Sequence, residues 1–317
     1  MSTTASAAVK IMDFPLKGEF MRKVSSFRNA IAKGGPFPPE ANRYHLYVSL
    51  ACPWAHRTII VRKLKGLEHA IGLSVVDYFL GGEGWHFSER QGATLDPINN
   101  YTHLKQLYYK ANPQFEGRFT VPVLWDKQTS TIVNNESSEI IRMLNSEFND
   151  VAKNPSLDLA PKELLAEIDE INTFVYDNVN NGVYKCGFAG DQEAYNVAFE
   201  KLFSALEKLE ERLSKSRWLV GKQMTEADIR LFTTLVRFDP VYFGHFKTNK
   251  RMIKDYPALS NYLREIYQNE QIKSTVDFHH IKHHYYESHR SINPTGIVPE
   301  GPEMDYLNLP HNRASLN

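Results

Sequence analysis

Cysteine is nearly absent from this chain: of 317 residues only Cys52 and Cys186 carry a thiol. That excludes a disulfide-built scaffold and makes a free thiol in a reducing compartment the expectation, with the cytosol as default. A surplus of either charge is lacking too, since Lys+Arg and Asp+Glu each total 37. With no global basic field, neither nucleic acid nor an anionic membrane is an expected partner. No run approaches the ~20 apolar residues that cross a bilayer. Residues 1–10 have no apolar core of a secretory signal; they are acid-poor and Ser/Thr-rich, which leaves a mitochondrial address open. Internal repeats and low-complexity segments are missing. What remains is ordinary globular composition, 42% hydrophobic and 23% charged, in a chain long enough for two domains.

Of the two thiols, Cys52 stands out by its neighbours. Tyr44-His-Leu-Tyr-Val-Ser-Leu50 reads as a strand, and Pro53 opens a segment that reads as a helix to about Lys65. A cysteine between them sits at the helix N-cap, where free N–H groups and the positive dipole end favour a thiolate. Ala55 stands where a dithiol oxidoreductase has its second cysteine. The site therefore has no resolving thiol of its own, and an outside thiol, or Cys186 if the fold brings it close, must do that work.

The spacing along the chain predicts two halves. After an irregular leader (1–43), strand 44–50, helix 53–65 and an apolar strand from Ile71 to Phe79 precede a polar, Gly-rich and aromatic stretch over 80–117. Strands at 121–125 and 131–133 and a helix over 137–147 complete a β-α-β…β-β-α order, a thioredoxin-like half spanning 44–150. Beyond a linker with two prolines the period becomes helical. Leu164, Ile168, Ile171, Val175 and Val179 mark one apolar face; Tyr195, Phe199, Leu202, Leu206, Leu209 and Leu213 mark another. Thr225 and Asp228 form a capping box. The second half, 151–290, is expected to be an all-helical bundle, followed by an irregular tail over 291–317.

Two further spots carry chemistry. Val121-Pro122 enters a strand downstream of the cysteine, where a cis peptide and a backbone pairing with a peptide-like ligand are expected. Glu136-Ser137 opens a helix: the serine hydroxyl and free N–H groups suit a carboxylate, and the glutamate suits an ammonium. Together they match the α-amino-acid end of a γ-glutamyl group. His279, His280, His283 and His284 have helical spacing for zinc, but no carboxylate or thiol is spaced to complete a site, and no metal is expected.

The runs Cys52-Pro-Trp-Ala-His-Arg57, Gly84-Trp-His86, Thr120-Val-Pro-Val-Leu-Trp125, Asn135-Glu-Ser137, Asn181-Gly-Val-Tyr-Lys-Cys-Gly-Phe188, Trp218-Leu-Val-Gly221, Arg237-Phe-Asp-Pro-Val-Tyr-Phe243 and His280-Ile-Lys-His-His-Tyr-Tyr286 resemble the glutathionyl-hydroquinone reductases. These are the Xi class of glutathione transferases, related to the omega class, and the likeness spans about 10–305. The resemblance implies the glutathione transferase fold, Cys52 as nucleophile, and glutathione held as co-substrate by Trp85, Arg118, Val121, Glu136 and Ser137. It also implies an acceptor pocket of Tyr184, Tyr285 and Tyr242, with Tyr184 and Tyr285 as proton donors, and a homodimer built on helical-domain surfaces. The implied reaction reduces S-glutathionyl-hydroquinones. An omega-like thioltransferase or dehydroascorbate reductase is the nearest alternative, and a non-catalytic docking module the alternative of another kind.

Overall fold

The aromatic and aliphatic residues of Tyr44–Val48 make this strand, β1, fit for burial on both faces, and it is fully buried in the interior of the sheet. The computed structural model describes residues 18–21 and 24–316. Among them, β1 lies between β2 (Gly72–Val75), which it pairs in parallel, and β3 (Val123–Asp126), which it pairs antiparallel. The antiparallel β4 (Thr131–Asn134) closes the order β2-β1-β3-β4. Helices α1 (Pro53–Leu64) and α3 (Ser137–Ser146) pack on each other beside it. Arg28 adds one antiparallel bridge at Asn134, so the leader hems the edge of β4.

Strand β2 ends four residues short of the expected Phe79. Val76 still donates to Val48 O, but the Asp77 carboxylate then accepts from Phe79 N–H at 2.7 Å and turns the chain away. The polar, Gly-rich 80–117 stretch, in which the spacing marks no element, holds a helix, α2 (Lys105–Ala111), of only seven residues. Leu107 and Tyr108 are its buried anchors, too few to show a helical period. The Val121-Pro122 peptide is cis, as expected.

The second half is helical: α4 (Leu165–Val175), α5 (Asn181–Gly187), α6 (Gln192–Lys215), α7 (Glu226–Arg237), α8 (Phe243–His245), α9 (Pro257–Tyr267), α10 (Glu270–Lys273) and α11 (Phe278–Ser288). The capping box of α7 forms, with Thr225 N–H donating to Asp228 Oδ2 at 2.8 Å. Two π-helical turns interrupt the run, Tyr176–Asn180 and Phe238–Tyr242. Each has a local cause. Asn178 Nδ2 donates to Phe174 O, the carbonyl an α-helical backbone N–H would take. Pro240 has no N–H to offer Val236. The tail beyond α11 is irregular apart from short 3₁₀ turns, yet it is pinned: Leu307 and Arg313 are buried, and Tyr306 O–H donates to Asp239 at 2.9 Å.

Candidate active site

Cys52 is the N-cap of α1, with Pro53 behind it and its own carbonyl accepting from His56 N–H at 3.0 Å. Its Sγ lies 3.7 Å from Val121 O, so the cysteine faces the turn that carries the cis peptide. The β1–α1 turn before Cys52 is held from the other half of the molecule. Arg237, fully buried at the end of α7, donates from Nε to Ala51 O at 2.8 Å and from Nη2 to Leu50 O at 2.9 Å. Its Nη1 also donates to His56 Nδ1 at 3.0 Å, and His56 Nε2 then meets Thr275 Oγ1 at 2.7 Å. Burial and the Arg237 charge keep His56 neutral, its pKa well below the usual value.

Beside Cys52 opens a cavity of about 590 Å³, lined by Trp54, Val121, Glu136, Ser137 and, across the domain boundary, Tyr176 and Arg230. Glu136 is the N-cap of α3: Oε1 accepts from Ser138 N–H at 3.1 Å and from the Ser138 hydroxyl at 2.9 Å. Oε2 accepts from the Ser25 hydroxyl of the leader at 2.9 Å. Burial pushes this carboxyl upward, but those donors and the Arg57 charge outweigh it and hold it below the ordinary range. A fixed carboxylate and the positive end of a helix thus stand side by side. Arg57 lies beneath them. Burial, helped by the Arg230 charge, pushes its guanidinium down to about 9.

Three tyrosines meet in a second cluster, next to Trp54. Tyr285 O–H is 2.6 Å from that of Tyr184 and 2.9 Å from that of Tyr242, and all three are buried. Pro240 and its π turn bring Tyr242 to this point. Trp54 joins the two regions, its ring 6.4 Å from that of Tyr184. Phe20 of the leader stacks on Tyr184 at 6.0 Å. Burial, first of all, keeps Tyr242 and Tyr285 protonated far above neutral pH.

Trp85 and Arg118 lie outside the cavity wall. Trp85, on the loop after β2, stacks on His284 of α11 at 4.8 Å; Arg118 is half-buried on the loop between α2 and β3. Cys186 is buried in α5, and burial pushes its thiol up to about 12, so it is no thiolate at neutral pH. The histidine run packs rather than ligates: His280 Nε2 donates to Gln91 O at 2.6 Å and His284 Nδ1 to Tyr78 O at 2.9 Å. Among the described residues no group of three or more metal-ligating side chains occurs.

Models of the glutathione S-transferase N-terminal and C-terminal domains match residues 51–147 and 192–265. Glutathionyl-hydroquinone reductase YqjG of Escherichia coli is 53% identical over 305 residues, covering 93% of this chain and 92% of that one. The crystal structure of glutathione-S-transferase Xi from Phanerochaete chrysosporium superposes with a TM-score of 0.90 at 56% identity, over 92% of this chain and 100% of that one. The chain belongs to the Xi class of glutathione S-transferases. A glutathione-bound structure of YqjG matches with a TM-score of 0.88 at 54% identity, over 91% of this chain and 96% of that one. For this Xi-class chain the thioredoxin-like and helical fold and the family resemblance therefore hold.

Sequence reading missed the residues that act on the site from a distance. Ser25, Arg57 and Arg237 reach it across |i−j| separations of 111, 80 and 186. Only Pro240 left a local signal, a helix-breaker inside a helical run.

A layer of buried imidazoles backs the tyrosines. His245 and His289 lie 3.2 Å apart, ring nitrogen to ring nitrogen, and His284 packs on Tyr285 at 5.1 Å. Burial above all pushes His245 and His284 down to about 4, as it does His45 under the sheet. These bases are neutral in the fold and protonate in the unfolded chain below about 6.5. Unfolding therefore gains protons as pH falls, and stability drains away from about pH 6.5 down to about 4. Urea melts at pH 7 and pH 5 are expected to differ by about 2 kcal/mol for each of these three histidines. Equal stability at the two pH values would refute this account.

Proposed function

We propose that the protein is a glutathionyl-hydroquinone reductase working through Cys52. The observation that carries this is a helix-capping cysteine whose contact Val121 and near neighbour Trp54 line one cavity, while Trp54 also packs on Tyr184. The cavity, with Glu136 and Ser137 in its wall, suits a γ-glutamyl peptide, and the hydroxyl-bearing aromatic cluster reached through Trp54 suits a hydroquinone. In this reading Val121 pairs with the peptide backbone of glutathione, Glu136 takes its ammonium, Ser137 its α-carboxylate, and Trp85 and Arg118 close over the rest. Residues 44–150 hold glutathione, while residues 151–290 supply the acceptor side.

Cys52 thiolate attacks the sulfur of the glutathionyl-hydroquinone. The carbon–sulfur bond breaks, its electron pair goes to the ring carbon, and that carbon takes a proton from the Tyr184–Tyr285 hydroxyls. The products are the hydroquinone and a Cys52–glutathione mixed disulfide. The thiolate of a second glutathione attacks this disulfide, releasing glutathione disulfide and restoring Cys52. The proton lost by that second thiol balances the one placed on the ring. Ala55 offers no sulfur and the Cys186 thiol stays protonated, so the external glutathione is indispensable.

The test is intact-mass analysis after exposure to glutathionyl-menadiol without free glutathione. The expected result is one glutathionyl group on Cys52 and one equivalent of menadiol, with menadiol formed faster than dehydroascorbate or a small mixed disulfide is reduced in parallel assays. No adduct, or faster reduction of dehydroascorbate, would overturn the reading. A homodimer in a reducing compartment such as the cytosol belongs to the same proposal, and light scattering in solution tests the dimer. Among the described residues no helix is long and apolar enough to cross a membrane.

A further inference from the structure

Four guanidinium groups line the cavity beside Cys52, and three of them are answered by carboxylates. Arg28 pairs with Glu139, Arg142 with Asp169 and Glu226, and Arg230 with Glu226. The fourth, Arg57, is 2% exposed and makes no ion-pair contact among the described residues; the Glu136 carboxylate acts on it only from a distance. Its Nη2 donates to Asn180 Oδ1 at 2.8 Å, its face lies 4.5 Å from the Trp54 ring centroid, and Nε has no acceptor. The Asn180 amide is fixed in turn, because its Nδ2 donates to Arg230 O and to Thr234 Oγ1. A buried cation with no anion in contact is costly, and a ligand carboxylate at the cavity wall would offset that cost.

The remaining contact of Arg57 shows where that ligand charge belongs. Nη1 donates to Ser137 Oγ at 3.4 Å, and Arg57 is the only hydrogen-bond partner of that hydroxyl among the described residues. A serine hydroxyl has one proton and two lone pairs. With the guanidinium on a lone pair, the proton is left for another acceptor at the cavity wall, beside the N-terminus of α3.

We infer that Arg57 is the positioning residue for the α-carboxylate of the γ-glutamyl group: it turns the Ser137 hydroxyl outward as a donor and supplies the charge that the carboxylate neutralises. This rests on reading the cavity as the glutathione site. It makes the cavity selective for an α-amino-acid terminus over an acyl chain that lacks the carboxylate. Arg57 touches no reacting atom, so its effect falls on KM for the glutathionyl ligand while kcat at saturation is spared.

The experiment is calorimetric binding of S-methylglutathione and of its analogue with γ-aminobutyryl in place of γ-glutamyl, to the wild-type protein, Arg57→Gln and Arg57→Lys. Arg57→Gln is expected to weaken S-methylglutathione about 30-fold and the analogue less than about 3-fold. Arg57→Lys keeps the charge without the planar fork, and is expected to cost S-methylglutathione about 5-fold and to leave the analogue unchanged. Should the glutamine variant fail to fold, the lysine variant carries the comparison. Equal losses for both ligands, or no loss for either, would overturn the inference while leaving the glutathione site intact. A wild-type protein that binds no S-methylglutathione would overturn the reading beneath it as well.

Discussion

Cys52→Ala is expected to lose about four orders of magnitude or more in turnover of a glutathionyl-hydroquinone, while binding S-methylglutathione about as tightly as the unaltered protein. The two halves of that expectation have separate causes. Turnover goes because no other sulfur can take the glutathionyl group: Ala55 has none, and burial holds the Cys186 thiol at about 12. Binding survives because the ligand frame stands without the cysteine. Glu136 is fixed by Ser138 and Ser25, Ser137 by its place at the start of α3, and the preceding turn by Arg237. Cys52→Ser is expected to fail equally, since an alcohol forms no disulfide. Steady-state kinetics beside calorimetry decides the matter. Substantial turnover by either variant would mean that the reaction runs without a mixed disulfide.

Glu136→Gln is expected to raise KM for the glutathionyl substrate by about 100-fold, with kcat at saturation changed less than about 3-fold. Glu136 accepts from the Ser138 N–H, the Ser138 hydroxyl and the Ser25 hydroxyl, and those donors hold it ionised. A glutamine removes the charge that answers a ligand ammonium. The amide oxygen can still accept from Ser138 and the NH₂ can donate to the Ser25 hydroxyl, so the N-cap of α3 survives while the ion pair is lost. Because the ammonium lies far along the peptide from the sulfur, the loss belongs to binding and leaves the chemical step alone. An unchanged KM would remove Glu136 from the ligand frame. A fall in kcat of the same size as the rise in KM would place it in the transition state.

The sheet was readable because β1 is rich in aromatic and aliphatic residues, and α1 because Pro53 follows the strand within a short turn. The bundle was readable in its Leu and Phe spacing. The short α2 was not, since seven residues with two buried anchors leave no period to detect. Cys52, Val121, Glu136 and Ser137 announced themselves through local context, each at an element boundary. The tyrosines did not: nothing near Tyr184 distinguishes it from a core residue, and its hydroxyl contact is with Tyr285, 101 positions away. Arg57 and Arg237 lay in runs that read as buried helix, where a guanidinium looks like an exception rather than a functional group. Their meaning depends on what the fold sets opposite them, which no local pattern encodes.

The grip of Arg237 on Leu50 O and Ala51 O has a consequence for motion. Arg237 ends α7, and the next residues are the π turn that delivers Tyr242 to the hydroxyl cluster. One short stretch of chain therefore clamps the loop before the nucleophile and carries a tyrosine of the hydroxyl cluster. Any sliding of the helices against the sheet carries the sulfur and the tyrosines together. The loop that presents the sulfur and the hydroxyl cluster thus answer to the same few residues of the helical half, so a change at Arg237 is felt at both.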